Sequence, residues 1–113
     1  LKYKDIFVAL LLQGGMMFMN DTIKTINHKI QEMSFEDLRL ICTKHSIDIS
    51  DGNLNAILSL IKNNPSTIMF ADYHPIIYIQ ILNKLDDNIL NIFKPLIEKD
   101  YLMHDIKKLC KIN

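Results

Sequence analysis

The 113 residues contain no tryptophan, three glycines, three prolines, two cysteines and a single arginine, Arg39. Each shortage closes off a class of protein. With only Gly14, Gly15 and Gly52 available, neither a Walker phosphate loop nor a dinucleotide fingerprint can be written, because both need glycines at set spacing so that the backbone can approach a phosphate. No glycines flank a nucleophile as an elbow or oxyanion turn requires. Cys42 and Cys110 stand far apart without a CxxC spacing, so a redox pair is not indicated. A reduced, cytoplasmic setting with both thiols buried as small hydrophobes fits them better. Basic and acidic residues number 13 each, which leaves no net field to draw the chain toward nucleic acid or anionic lipid.

What is present describes a packed globule. Hydrophobic residues make up 49% and charged residues 23% of the chain, enough for one hydrophobic core and too little chain for two. Isoleucine, lysine and asparagine are heavily used, the set that AT-rich codons specify. That points to a low-GC bacterium of the Firmicutes type and says nothing about the fold.

Residues 1–19 read LKYKDIFVALLLQGGMMFM. A secretory signal would use Lys2 and Lys4 and the apolar run 6–12, but no small-residue cleavage site follows. A membrane span needs ~20 mostly apolar residues, and Gln13-Gly14-Gly15 interrupts the run first. A packed helix is a further reading. Translated leader fits best, since Gln-Gly-Gly can be encoded by a ribosome-binding site just ahead of Met16, Met17 and Met19. On that reading 1–18 is leader and 19–113 is a single helical domain.

Beyond Asn20 the apolar spacing is helical. Ile23, Ile26, Ile30 and Met33 form one stripe, opened by Asn20 or Asp21. Ser34 and Asp37 make a capping box for a second helix with Phe35, Leu38, Ile41 and Cys42 inward, fading near His45 or Ser46. Ile47-Asp48-Ile49 then reads as extended, and Ser50 caps a third helix carrying Leu54, Ile57, Leu58 and Ile61, which Asn63-Asn64-Pro65 ends. Residues 66–71 read as a connector. Pro75 opens a fourth segment, 76–85, apolar on nearly every side and therefore expected to be the central, most buried element. Its isoleucine-dense part, 76–82, also suits a strand. Asp86 or Asp87 caps a fifth helix with Ile89, Ile92, Phe93, Leu96 and Ile97, in which Pro95 predicts a kink or break near 91–94. A last amphipathic piece carries Leu102, Ile106, Leu109 and Cys110. The expected fold is thus all-α, a compact bundle of about five short helices.

Chemistry is sparse. Cys42 and His45 lie one helical turn apart but supply two ligands where zinc takes about four, so no metal and no cofactor is expected. Glu36-Asp37 and Asp86-Asp87 stand at helix starts, where their charge complements the helix dipole. The densest cluster of polar aromatics is Phe70-Ala71-Asp72-Tyr73-His74-Pro75, whose Tyr73, His74 and Pro75 form a candidate partner surface or a turn closing one end of the bundle.

An order of short motifs carries a resemblance. Ile26-Asn27-His28-Lys29-Ile30, Ser34-Phe35-Glu36-Asp37-Leu38, Ile47-Asp48-Ile49-Ser50, Asn63-Asn64-Pro65 and Ile68-Met69-Phe70-Ala71-Asp72 together resemble the short YqfT-type proteins of bacilli, a domain of unknown function. The likeness covers about 19–102. It implies a small helical cytoplasmic protein and brings no catalytic residue with it. The helix-extended-helix order at 34–62 is similar to the SAP-type DNA-binding module, which would make Lys44, His45 and Lys62 candidate nucleic-acid contacts. Ser46 stands where that module favours glycine, and Asp51-Gly52-Asn53 lacks its phosphate-binding lysine. The sequence therefore favours a non-enzymatic interaction or regulatory protein whose partner is another protein or a second copy, with a nucleic-acid adaptor as the alternative.

Overall fold

The structure is a computed structural model that describes residues 21–109. The leader reading of 1–18, the cap at Asn20 and Cys110 lie outside those residues. Among the described residues the chain forms seven α-helices, one 3-10 turn and no strand: α1 Asp21–Glu32, α2 Phe35–Lys44, α3 Asp51–Asn63, α4 Ser66–Met69, the turn Ala71–Tyr73, α5 His74–Lys84, α6 Asp87–Glu98 and α7 Tyr101–Leu109. The all-α bundle is as the periodicity predicts. The expected count of about five is too low.

Helix starts follow the capping residues. Ser34 Oγ accepts from the Asp37 amide at 3.0 Å while the Ser34 amide donates to Asp37 Oδ2 at 2.9 Å, a complete capping box on α2. The Ser50 hydroxyl accepts from the Asn53 amide at the start of α3, and Asp86 Oδ1 accepts from the Ile89 amide at 2.8 Å at the start of α6. Helix ends must manage without glycine. Ser46 and Asp100 take the left-handed conformation, at φ 61° and 64°, just past the ends of α2 and α6. At α2 the Ser46 amide donates to Thr43 O and the Ile47 amide to Cys42 O, so a non-glycine residue completes a Schellman-type stop.

Three expectations are corrected. Residues 66–69 are not connector but the single turn α4, because the fixed φ of Pro65, −62°, suits the start of a helix as well as the end of the previous one. Thr67 Oγ1 donates to Asn64 O at 2.6 Å and Ile68 is buried, which holds the turn. Of the kink or break expected at Pro95, the break is absent: α6 runs from Asp87 to Glu98 around it. Burial of Phe93, Leu96 and Ile97 on either side outweighs the one backbone hydrogen bond that proline removes. Residues 76–82 are helical and not the most buried segment, since α5 buries only Ile77 and Ile81 and leaves Ile79 and Leu82 40% and 44% exposed. At 34–62 the order helix, non-helical connector, helix is present.

The core follows the predicted stripes. Ile26, Ile30 and Met33, then Leu38, Ile41 and Cys42, then Leu54, Ile57 and Ile61 are all buried, and they meet Ile77, Ile81, Phe93, Leu96, Leu102 and Ile106 in one cluster. Consecutive helices α5, α6 and α7 pack on one another, α2 packs on α3, and α3 touches both α1 and α5. Helix α7 returns to lie against α1, closing the bundle. Arg39 pins the connector between α2 and α3: its Nη2 donates to Ile49 O at 2.8 Å and Asp51 Oδ1 at 2.6 Å, with the guanidinium over the Phe35 ring.

The two faces of α5 provide a direct check. Ile81→Ala removes a fully buried side chain and is expected to cost about 2–5 kcal/mol, whereas Ile79→Ala, on the exposed face of the same helix, should change stability by under about 0.5 kcal/mol. Urea unfolding followed by circular dichroism measures both, and equal losses would contradict the burial pattern.

Candidate functional site

Two places in the bundle are unusual enough to carry function. The first is a polar corner where the end of α2 meets α7. Asp105 sits on the buried side of α7 with 7% of its side chain exposed. Lys44 Nζ donates to its Oδ1 at 2.9 Å and His45 Nε2 to its Oδ2 at 2.8 Å. Tyr101, one turn earlier on α7, stacks flat on the His45 ring, with centroids 4.6 Å apart and 3° between the planes. Burial pushes the Asp105 carboxyl up, but the hydrogen bonds and charges of Lys44 and His45 together outweigh it and hold the group below its ordinary range. Both left-handed residues border this corner, Ser46 following His45 and Asp100 preceding Tyr101.

The second place is the outer face of α5. Pro75, Ile79 and Leu82 fall at helical steps of four and three and are all exposed, and Phe70, 39% exposed, precedes them. Tyr73 stands edge-on to Phe70, centroids 6.1 Å apart. His74 Nε2 donates to Ile68 O at 3.3 Å and its ring is tilted against Tyr78. These contacts join the turn to α4 and fix the direction in which α5 leaves it. Among the described residues the large apolar side chains left exposed are Leu40, Phe70, Ile79, Leu82 and Tyr101, and of these only Ile79 and Leu82 share a helix.

The sequence candidates divide accordingly. Tyr73, His74 and Pro75 form one corner, with Tyr73 and His74 half-buried and Pro75 open. Lys44 and His45 are brought together, but on Asp105. Lys62 is elsewhere, half-buried near the end of α3, where its carbonyl accepts from Gln31 Nε2 at 2.9 Å. Cys42 faces the core beneath α2, where burial, opposed by the charge of Arg39, pushes its thiol from 9.0 up to about 11. Among the described residues no three His, Cys, Asp or Glu side chains are grouped to hold a metal.

Asp105, Tyr101, Ile79 and Leu82 were not singled out from sequence. For Asp105 a signal did exist: it falls on the same stripe as Leu102, Ile106 and Leu109, and a carboxylate on an apolar stripe needs a buried cation. For Ile79 and Leu82 there was none, because α5 offers apolar residues in every direction. Compared with protein-family models, curated proteins and solved structures, the chain matches none of them.

Asp105 gives a pH dependence of definite sign. Its carboxyl titrates lower in the folded chain than in the unfolded one, so its contribution is fully present above the ordinary carboxylate range and is lost as pH falls through the folded value. Asp105→Asn should cost about 2 kcal/mol at pH 7. In urea titrations at falling pH the gap between wild type and Asp105→Asn is expected to close below about pH 4, and a pH-independent gap would refute the assignment. Cys42, protonated and buried, should be blind to a thiol reagent at pH 8 in a Cys110→Ser chain until urea unfolds it. Fast native labelling would place it at the surface instead.

Proposed function

We propose that the chain is a non-enzymatic protein-interaction module of the bacterial cytoplasm, and that the outer face of α5 with its Phe70 and Tyr73 corner is the docking surface. One observation carries the reading: three apolar side chains, Pro75, Ile79 and Leu82, stay exposed along one side of α5 although the same helix buries Ile77 and Ile81 completely. Apolar strips of this kind on small domains are used for recognition, and spacing of the i, i+4, i+7 type suits a partner helix laid alongside. The polar corner at Asp105 supports the same reading from the other side. Its three charged or titratable members are engaged with one another, and what they accomplish is holding α2 to α7. The resemblance to the YqfT-type proteins adds no catalytic residue, and the cytoplasmic placement rests on the thiols and the composition alone.

The test compares the wild-type chain with Ile79→Glu/Leu82→Glu, two exposed changes expected to leave the unfolding midpoint within a few degrees of wild type. Both are used to capture partners from nuclease-treated extract of a low-GC bacterium, read by mass spectrometry, and both are run in sedimentation equilibrium. A protein partner, or a second copy, bound by wild type and lost from the double variant supports the face. Binding that survives the double variant overturns it.

A further inference from the structure

The polar corner between α2 and α7 leaves one reactive atom free. His45 Nε2 is taken by Asp105 Oδ2 at 2.8 Å, and the other ring nitrogen, Nδ1, makes no hydrogen bond. Nor is it shut away: the one buried polar side-chain atom without a partner among the described residues is Gln80 Oε1. With 19% of the His45 side chain exposed, Nδ1 opens to solvent.

What holds the ring dictates the chemistry of that nitrogen. Asp105 is buried and carries the Lys44 ammonium on its second oxygen at 2.9 Å, which keeps the carboxyl ionised. An ionised carboxylate has no hydrogen to give, so Nε2 supplies the one in their bond. In the neutral ring the lone pair then stands on Nδ1. The carboxylate also stabilises the positive charge that the ring acquires when that lone pair is used, as a buried aspartate does for the imidazole of a hydrolytic triad. The flat stack on Tyr101 holds the plane of the ring. A clasp that only joined α2 to α7 needs donors toward Asp105, and Lys44 already is one. The other described imidazoles lack this arrangement. His74 Nε2 donates to a backbone carbonyl, and His28 and His104 are exposed with no side-chain partner.

An open imidazole nitrogen backed by a carboxylate is a nucleophile, and its neighbours narrow the electrophile. Acyl groups on imidazole are lost quickly to water. A phosphoryl group lasts longer, and its oxygens suit the exposed ammonium of Lys44 on the same carboxylate. We propose that His45 is a phosphoryl-accepting residue, with Nδ1 as the nucleophile, Asp105 as the positioning residue and Lys44 as the cation that meets the phosphoryl oxygens. The donor is a reactive phosphate ester of the acyl phosphate type or a phosphorylated imidazole. The Nδ1–P bond forms as the donor's P–O or P–N bond breaks; the donor's carboxylate or imidazole leaves with that electron pair, and the ring hydrogen stays on Nε2 against Asp105. The mark places roughly two negative charges at the seam of α2 and α7, a form of control suited to a module without catalysis of its own.

The experiment treats the full folded chain with potassium phosphoramidate, a small phosphoryl donor from which ammonia leaves. Phosphorylation of each histidine is followed by peptide mass spectrometry under alkaline handling, and NMR identifies the nitrogen that carries phosphorus. His45 should react about tenfold faster than His28 and His104, the ordinary imidazoles of the same chain, and should do so at Nδ1. In urea the three should react alike. Asp105→Asn, shown by circular dichroism to be folded, should bring His45 down to the rate of His104. A native His45 that reacts no faster than His104, or that takes phosphorus on Nε2, overturns the proposal, and so does a folded Asp105→Asn chain that keeps the wild-type rate. If Asp105→Asn fails to fold, the rate and the position of attack in the wild-type chain decide by themselves.

Discussion

No helix described here is long enough to stand alone. The longest has 13 residues and the shortest four, at or below the length where isolated helices are marginal in water even for alanine-rich sequences, and these helices are rich in β-branched isoleucine, which lowers intrinsic helicity further. Every element is therefore helical on condition that its stripe is covered by another. The fully buried side chains that meet this condition, Ile30, Leu38, Leu54, Ile68, Ile81, Phe93 and Leu102 among them, come from all seven helices. The cooperativity of the bundle follows from that mutual dependence.

Closure is the step at which polar chemistry takes part. Apolar stripes alone would let α7 rotate or slide against its neighbours, because hydrophobic contact is weakly directional. Asp105 removes that freedom. A buried carboxylate is tolerable only where donors reach it, and Lys44 and His45 stand at the one place where they do. The flat stack of Tyr101 on His45 sets the rotation of α7 a second time. Arg39 does comparable work on the connector before α3, satisfying the Ile49 carbonyl and the Asp51 carboxylate with one side chain.

How much of this could be read in advance depended on the range of each interaction. The capping box of Ser34 and Asp37, the caps at Ser50 and Asp86 and the stripes of α1, α2, α3 and α6 are local patterns, and the helices they announce are present with boundaries within a residue or two. Residues 66–69 misled because Pro65 can close one helix and open the next. Helix α5 misled for a different reason: Ile76, Ile77, Ile79, Ile81 and Leu82 surround the axis, so nothing local distinguishes the buried side from the open one, and that decision belongs to α3, α4 and α6 packing on it. The Tyr73 to Pro75 corner was legible as an aromatic cluster, but the strip it leads into was not. Lys44 and His45 are legible in the sequence only as basic residues at a helix end. Their partner, 61 and 60 residues away, left no trace in the neighbourhood of either.

The contact between α1 and α7 has a bearing on the order in which the molecule is made. The helix that covers α1 at this end of the bundle is the last described element to leave the ribosome, so the apolar side of Ile26, Ile30 and Met33 stays incompletely covered until α7 has emerged. Elements α2 and α3, and later α5 and α6, can pair as they emerge, while α1 waits. During that interval the nascent chain presents a greasy, isoleucine-rich helix without its full cover, the kind of surface that chaperones hold and that aggregates when they do not. Once α7 is out, the acid–base clasp at Asp105 fastens it to the end of α2 and the cover is in place.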